Sequence, residues 1–487
     1  MERIDARPHV VIVGGGISGL AAAFFLRDEA ARVTVLDGSP RLGGKLSASE
    51  IAGVSVDEGA EALLVTRPEG TGLIAGAGLA DQRVNPGTTS SAIWTRGALR
   101  PLPRRQFMGV PSDMAELARS GVLSGQGAAR AARDLDLPPT VRQDDVPVAE
   151  YVGARQGDEV VNRLVDPLLG GVYAGRSAEL SFEATLPALA AASRRYRSLA
   201  EAARSVLPAP ASGTRTPGPV FTTLAEGLGT LPAYLAKASG AEVRIAAMVR
   251  ALAPARTGWR LTVGPAAAPE HLHADAVILA VPARPAGRLL ADVPGASAAV
   301  AALGEISYAS MAIVTLAYPR AAFPGGGLGD LGWSGYLVPA VDGRAVKAVT
   351  FCTVKWPHLA AGTAPLEVIR CSVGRLGEEA LLQRSDEDLA ALAAAELAEA
   401  TGVRGAPAAT RVTRWGGALP QYTVGHLDRV ARIRSAVADQ PGLAVCGAAY
   451  DGVGIPACVA TARAAAGRVM AFLAARPRPD GGAATGR

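Results

Sequence analysis

Two kinds of apolar pattern alternate along the chain. Residues 9–13 and 276–280 are apolar at successive positions, which predicts strands buried on both faces, as in a parallel sheet. Between residues 306 and 356 apolar and polar positions alternate, which predicts an antiparallel sheet. Residues 86–215 show helical spacing broken by Pro and Gly, which predicts a mostly helical insertion. The chain is therefore predicted to be an α/β protein with an inserted helical region.

The order of these elements predicts the domains. Further strands are predicted at 220–222, 241–244, 259–263 and 443–447, and helices at 386–400 and 455–474. A βαβ unit at 9–37 whose sheet is completed by the last strand and helix makes the first domain discontinuous. The predicted domains are 1–85 with 216–290 and 411–487; a helical domain at 86–215, a candidate for membrane contact; and a mixed α+β domain at 291–410.

Composition excludes several classes of protein. The chain has 487 residues, of which 49% are apolar and 19% charged, so it is long and apolar enough for a folded core. A net charge of +5 from 49 basic and 44 acidic residues argues against a nucleic-acid-binding protein. Four Cys without a CxxC pair and five His argue against disulfides and a metal site. Because no uninterrupted stretch of about 18 apolar residues occurs, a cytoplasmic protein is expected, with peripheral membrane contact left open.

A glycine motif follows the first strand. Gly14, Gly16 and Gly19 form GxGxxG between a predicted strand and a predicted helix. The glycines permit a tight turn, close approach of a pyrophosphate, and close packing of the helix on the strand. Asp37 ends the second strand about 20 residues later, where a carboxylate can bind ribose hydroxyls. Together these features predict a dinucleotide site.

The residues after the second strand carry a family resemblance. Asp37, Arg41 and Gly43-Gly44-Lys45 resemble the corresponding segment of the FAD-dependent amine oxidase and protoporphyrinogen oxidase superfamily, with Asp where Glu is usual. The glycine backbone would lie against the flavin phosphates, and Arg41 would neutralise them. Residues 57–61 resemble the loop that passes the cofactor in these enzymes.

Three longer segments narrow the resemblance. Residues 166–181, 415–426 and 447–458 resemble motifs of the protoporphyrinogen and coproporphyrinogen III oxidases. Ala448 and Ala457 depart from the usual Asn and Asp, although neither position needs a side chain for backbone contact with a flavin. The Arg-rich composition suggests a GC-rich Gram-positive source, and the chain is most similar to the Gram-positive coproporphyrinogen III oxidases.

The motif and the resemblance imply a set of site residues. The discontinuous domain would bind FAD in a Rossmann-like fold, and the 291–410 domain would bind substrate. The predicted cofactor-binding residues are Gly14, Gly15, Gly16, Ile17, Ser18, Gly19, Asp37, Arg41, Gly43, Gly44, Lys45, Glu58, Gly59, Ala60, Glu61, Val249, Trp415, Gly447, Val453, Gly454 and Ile455. The predicted substrate-contacting residues are Leu168, Leu169, Gly170, Gly171, Met311, Ser334 and Tyr336. No side chain is assigned as catalytic, since in this family flavin N5 receives the hydride, and His426 is predicted to be structural.

The implied reaction is the six-electron oxidation of coproporphyrinogen III to coproporphyrin III in haem biosynthesis, with three O2 reduced to three H2O2. Protoporphyrinogen IX is the alternative substrate. A flavin amine oxidase, a carotenoid desaturase and a non-enzymatic binding protein on the same fold also stay open. A downstream chelatase is a candidate partner, and the chain is expected to be a monomer or a homodimer.

Overall fold

The computed structural model describes residues 7–140, 144–208, 218–361 and 365–476. A five-stranded parallel sheet lies at its centre. In spatial order its strands are Glu242–Arg244, Arg32–Leu36, His9–Val13, Ala276–Leu279 and Leu443–Val445. The central strands are wholly buried because apolar layers cover both faces of the sheet, as their continuous apolar sequences predict.

Helices from distant parts of the chain form the two covering layers. They are Ile17–Phe25, Pro68–Gly76, Leu231–Ser239, Ala283–Leu290, Ser297–Gly304, His426–Ala438 and Ile455–Ala475. Among the described residues, Ile455–Ala475 is the helix whose length and composition would allow it to cross a membrane. Half of its apolar window is buried, because it packs along Ile17–Phe25 and over the parallel sheet. Its apolar character is therefore that of a core helix.

The second large sheet of the fold has seven strands. In spatial order its strands are Ala409–Pro420, Tyr308–Pro319, Leu366–Val373, Val346–Phe351, Gly335–Leu337, Ala92–Thr95 and Ala98–Pro101. One face packs against helix Asp386–Thr401. The other carries Leu337, Ala348 and Ser372, which follow one another across three neighbouring strands, and we call it the inner face. The parallel sheet and the mainly antiparallel seven-stranded sheet confirm the predicted α/β fold class.

The inserted region is mostly helical. Its helices are Met114–Ser120, Gly125–Ala132, Val148–Gln156, Asp158–Val160, Asp166–Tyr173, Phe182–Thr185, Pro187–Ser193 and Leu199–Val206, with a π-helix at Val161–Val165. They enclose an apolar core of their own. Strands Ala92–Thr95 and Ala98–Pro101 also fall in the range predicted to be helical, but they pair with the seven-stranded sheet. Arg96 and Gly97 both have positive φ, as a tight hairpin requires, and the helical-spacing argument overlooked this turn.

Short elements complete the fold. The remaining strands are Ala48–Ile51 with Val54–Asp57, Leu63–Leu64 with Phe221–Leu224 and Arg83–Val84, Gln106–Phe107 with Val110–Pro111, and Val249–Pro254 with Trp259–Val263 and Glu270–Ala274. The remaining α-helices are Cys352–Lys355 and Pro357–Ala361. The domain boundaries stay a prediction, and the one between residues 215 and 216 lies outside the described residues.

Candidate functional site

The glycine turn after the first strand combines close packing with open space. A Cβ on Gly19 would lie 1.8 Å from the Gly14 oxygen, and one on Gly14 would lie 2.5 Å from the Ala280 oxygen. These two glycines therefore let the first helix sit directly on the parallel sheet. Gly16 differs from them, because no atom lies within 4 Å of its Cβ position. The turn leaves an unfilled position at the start of the helix.

The first helix offers donors to this open position. Helix Ile17–Phe25 begins after an extended Gly16, with no side-chain cap and no acidic residue in its first turn. The first N–H groups of a helix have no partner within the helix and attract anions. The Gly43 N–H donates to the Gly15 oxygen at 2.8 Å, which places the Gly43-Gly44 loop beside the same position. A pyrophosphate fits this arrangement in charge and in space.

Asp37 and Val249 lie at the same end of the parallel sheet. The Asp37 carboxylate accepts hydrogen bonds from the Gly15 N–H at 2.6 Å and the Ser39 N–H at 2.7 Å, which orient it. The Ala247 N–H donates to the Asp37 carbonyl oxygen, so the strand that begins at Val249 is tied to this end. The predicted contacts of Asp37 with ribose and of Val249 with adenine stay predictions.

The Arg41 side chain hydrogen-bonds to the backbone of its own loop. Its guanidinium donates to the carbonyl oxygens of Leu42, Gly44 and Leu46, at 3.1, 2.8 and 3.3 Å. It also lies 5.8 Å from the ring centroid of Trp415. Arg41 thus shapes the Gly43-Gly44 turn through the backbone, and its predicted contact with the cofactor phosphates stays a prediction.

A second uncapped helix start lies beside the first. Helix Ile455–Ala475 follows an extended Gly454 and has no side-chain cap. The Cβ position of Gly447 is 3.8 Å from Ser18 Oγ, and the Ser18 hydroxyl also interacts with the Cys458 thiol on the last helix. The structure therefore brings the predicted residues Ser18, Gly447 and Val453 to Ile455 together, although more than 400 positions separate them in sequence.

Lys45 adds a partly buried positive charge to this site. Burial lowers the pKa of its ammonium, and the nearby Cys458 thiol opposes that shift. Two helix N-termini, an open position at Gly16 and a partly buried amine together favour an elongated anionic ligand. The residues present fit a flavin dinucleotide.

The backbone of residues 58–60 lies against the Lys45 segment. The Ala60 N–H donates to the Lys45 oxygen at 3.2 Å, and the Trp415 Nε1–H donates to the Glu58 oxygen at 2.9 Å. A Cβ on Gly59 would lie 1.9 Å from the Lys45 oxygen, so the two segments are in close contact. This loop and Trp415 join the predicted site through main-chain bonds.

The carboxylates of this loop are engaged elsewhere. Glu58 is 2% exposed and accepts hydrogen bonds from the Ser49 and Thr413 hydroxyls. Glu61 forms ion pairs with Lys355 and Arg370. Burial alone would raise the pKa of Glu61, but the two cations outweigh it and hold the pKa at about 2. The side chain of Glu61 therefore ties the loop to the seven-stranded sheet.

Helix Asp166–Tyr173 carries the predicted substrate segment. Leu168 is half-buried and Gly171 is exposed, whereas Leu169 is fully buried in the helical core. Gly170 is also buried. A Cβ on Gly171 would lie 3.7 Å from Leu337 Cδ2, so this helix faces the inner face closely. The prediction that Leu169 lines a substrate surface is thus not supported by its position.

The predicted residues of the seven-stranded sheet are divided between its two faces. Met311 is half-buried and pairs in register with Trp415. Ser334 is half-buried, and its hydroxyl donates to the Ser90 oxygen at 3.0 Å. Tyr336 is 2% exposed and packs in the core between the rings of Trp94 and Phe351.

Strand alternation explains the position of Tyr336. Successive side chains of a strand point to opposite faces, so Tyr336 belongs to the core and Leu337 to the inner face. Leu337, Ala348 and Ser372 form a row of partly exposed residues opposite Gly171, and none of them is among the predicted substrate-contacting residues. The alternation could have found Leu337, but only the register could have found the other two.

His426 supports the C-terminal glycine turn, as predicted. Its Nε2 lies 3.0 Å from the Tyr450 oxygen, and its ring stacks on Tyr422 at 3.8 Å. Burial lowers the pKa of His426 to about 4, so the ring is neutral at pH 7. The Tyr422 hydroxyl donates to the Ala448 oxygen and accepts from the Gly452 N–H, both at 2.7 Å. The motif around Tyr422 and His426 thus holds the 447–454 turn in place.

Comparison with known proteins agrees with this geometry. Residues 17–470 match the family described as flavin containing amine oxidoreductase. The chain is 38% identical over 473 residues to a coproporphyrinogen III oxidase of Mycobacterium tuberculosis (strain H37Rv), covering 96% of this chain and 98% of that protein. It is 32% identical over 480 residues to a coproporphyrinogen III oxidase of Bacillus subtilis (strain 168), covering 96% and 99%.

Solved structures show the same relationship. A crystal structure from Exiguobacterium sp. 255-15, provisionally assigned as a protoporphyrinogen oxidase, has a TM-score of 0.81 and 30% identity, covering 96% of this chain and 99% of that chain. A putrescine oxidase, at 16% identity, 95% and 99% coverage and a TM-score of 0.65, shares the fold alone. The family resemblance that the motifs indicated is confirmed. The chain belongs to the flavin containing amine oxidoreductases and is an oxidoreductase with FAD as its cofactor.

Proposed function

We propose that this enzyme oxidises coproporphyrinogen III to coproporphyrin III, with three O2 reduced to three H2O2. Relatives of that name match nearly the whole chain, including those from Mycobacterium and Bacillus. The single structural observation that carries the proposal is the partly exposed surface of apolar and small residues that helix Asp166–Tyr173 and the inner face form together. Bound FAD would supply the two-electron acceptor for each oxidation step.

The inner face suits a flat macrocycle. Leu337 is apolar, and Ala348 and Ser372 are small, so this row forms a low surface across three strands. Gly171 packs against Leu337 without a side chain, and because both residues keep exposed surface beside this contact, a planar ring would lie on that surface. The apolar and small residues of this surface would hold the ring by close contact and exclude water from it.

The described side chains around the two glycine turns, at residues 14–19 and 447–454, position the backbone and would orient the cofactor. We assign none of them a proton-transfer role. His426 is neutral, buried and hydrogen-bonded to backbone, so it positions the 447–454 turn. Asp37 is bound by two N–H groups, which leaves it suited to ribose binding. The chain would therefore contribute orientation and a dry surface to the reaction.

Protoporphyrinogen IX is the second candidate substrate. A chloroplastic protoporphyrinogen oxidase 1 of Spinacia oleracea is 27% identical over 488 residues. The two porphyrinogens differ at the rim of the ring, since coproporphyrinogen III carries four propionates and protoporphyrinogen IX carries two. The distinction must therefore lie in groups at the edges of the inner face.

The test is a side-by-side oxidation of both porphyrinogens in air by the purified, FAD-loaded protein. We expect a higher kcat/KM for coproporphyrinogen III by porphyrin fluorescence, and three H2O2 for each porphyrin formed. Putrescine serves as the control amine and should yield no H2O2. A preference for protoporphyrinogen IX would favour the second candidate. FAD-loaded protein that oxidises neither compound would contradict the proposal.

A further inference from the structure

A group of cations surrounds the end of helix Asp166–Tyr173. The helix packs on strands Gly335–Leu337 and Val346–Phe351. The turn that follows strand Leu366–Val373 docks on the end of the helix, because the Leu376 N–H donates to the Ala174 oxygen at 2.8 Å. Three basic residues meet around this turn, namely Lys347, Arg375 and Arg176.

Lys347 is the most deeply buried of the three. It is 4% exposed, and within the described residues its ammonium makes one hydrogen bond, to the Gly374 oxygen at 2.7 Å. An ammonium has three donors, so two are left for another acceptor. Lys347 directly precedes Ala348 of the inner-face row, at a β-bulge between Val346 and Ala348. Its charge therefore lies beside the surface proposed for the macrocycle.

The local charges do not balance. Among the described residues, the carboxylate that contacts these cations is Glu378, at 3.4 Å from Arg375 and 3.5 Å from Arg176. Both distances are long for a charge-assisted hydrogen bond. Three cations thus share one loosely held carboxylate, while buried charges are normally paired closely. The position favours an additional anion.

We propose that Lys347 and Arg176 bind one carboxylate of the substrate beside Arg375, whose guanidinium is held by the carbonyl oxygens of Val338 and Arg344. This inference rests on the proposed function, since the ligand is a propionate tail of the porphyrinogen lying on the inner face. Lys347 would bind the carboxylate from the sheet, at the edge of the inner face next to Ala348. Arg176, whose side chain is 42% exposed, would meet it at the opening.

The main test is Lys347→Met in the FAD-loaded enzyme. Removing one charge-assisted contact should raise KM for coproporphyrinogen III by roughly tenfold, with kcat within about twofold and FAD content unchanged. The matched control is Lys237→Met, an exposed lysine on helix Leu231–Ser239, which should leave both constants unchanged. Arg176→Leu is the second variant, and its half-exposed position makes it tolerant of substitution. It should also raise KM.

An ester substrate separates binding from indirect structural effects. Coproporphyrinogen tetramethyl ester lacks carboxylates, so wild type and Lys347→Met should oxidise it with the same KM. Quenching of flavin fluorescence by coproporphyrin III should give a Kd that rises in parallel with KM. An unchanged KM for the free acid in both variants, or an equal rise for the ester, would overturn the inference. A wild-type enzyme that oxidises no porphyrinogen would instead contradict the proposed function.

Discussion

The cofactor region and the inner face are built in different ways. Gly14 to Gly19 place a turn, an open position and a helix start within six residues, and the backbone supplies the contacts. The inner face takes Leu337, Ala348 and Ser372 from three strands and meets Gly171 of a separate helix, and side chains determine its shape. The first region can therefore keep its function through much side-chain variation, whereas the second can change substrate by single substitutions.

Gly16→Val should have the largest effect. No atom lies within 4 Å of the Gly16 Cβ position, so the apoprotein should fold normally, but the new side chain would occupy the place of the pyrophosphate. We expect loss of bound FAD at an unchanged apoprotein melting temperature. The control is Gly72→Val, also in open space. Stoichiometric flavin absorbance in the Gly16 variant would show that the cofactor lies elsewhere.

Glu61→Gln should destabilise the connection between the two regions. It leaves Lys355 and Arg370 without their carboxylate, at side-chain exposures of 18% and 7%. We expect the free energy of unfolding in urea to fall by about 3 kcal/mol, the lower end for a broken buried pair. The exposed pair Arg434 and Asp451 is the contrast, and Asp451→Asn should cost less than about 1 kcal/mol.

The pH dependence of stability gives a second readout for Glu61. Its pKa is about 2 in the folded protein against an ordinary value of 4.5, so folding favours the charged form. This contribution is complete above pH 4.5 and is lost as the pH falls toward 2. Glu61→Gln should lose this part of the acid dependence. An unaltered acid profile would show that the two ion pairs do not stabilise the fold.

Arginine substitutions at Leu168 and Leu169 should have different effects, because the first side chain is half-buried and the second lies in the helical core. Leu168 is half-buried, so an arginine there should lower kcat/KM by roughly 30-fold while FAD stays bound, because a charge would lie beside the apolar ring site. Leu169 is fully buried, and Leu169→Arg should prevent folding. Loss of FAD from the Leu168 variant would place that residue in the core as well.

The smallest expected effect is the response of KM to pH. Burial and the neighbouring Arg375 lower the pKa of Lys347 to about 7, while Glu378 opposes the shift. Above pH 7 the free enzyme therefore loses this charge, and KM for coproporphyrinogen III should rise a few-fold. Lys347→Met should abolish the rise. A rise of equal size in the variant would assign it to another group.

The sequence predicted the parallel sheet well because its signals are local. Strand His9–Val13 has the predicted bounds, and strand Ala276–Leu279 is one residue shorter than the predicted 276–280. The apolar runs and the glycine motif need no knowledge of distant residues. The hairpin at Ala92–Pro101 was missed because its turn is formed by Arg96 and Gly97, which lie within a helix-like stretch.

The substrate side was harder to predict because its geometry depends on register. The sequence predicted that Tyr336 contacts the substrate. Strand alternation instead directs Tyr336 into the core and Leu337 to the inner face. The partners of Glu61 are 294 and 309 residues away, at Lys355 and Arg370. No local pattern specifies such a pairing, since it follows from how the sheet and the loop meet.

The strand order of the parallel sheet affects synthesis of the protein. His9–Val13 lies beside Ala276–Leu279, which lies beside Leu443–Val445, and helix Ile455–Ala475 packs over them. A ribosome therefore exposes the glycine turn long before the elements that complete it. The described FAD site is therefore complete only after helix Ile455–Ala475, which supplies its second uncapped helix start, has been translated.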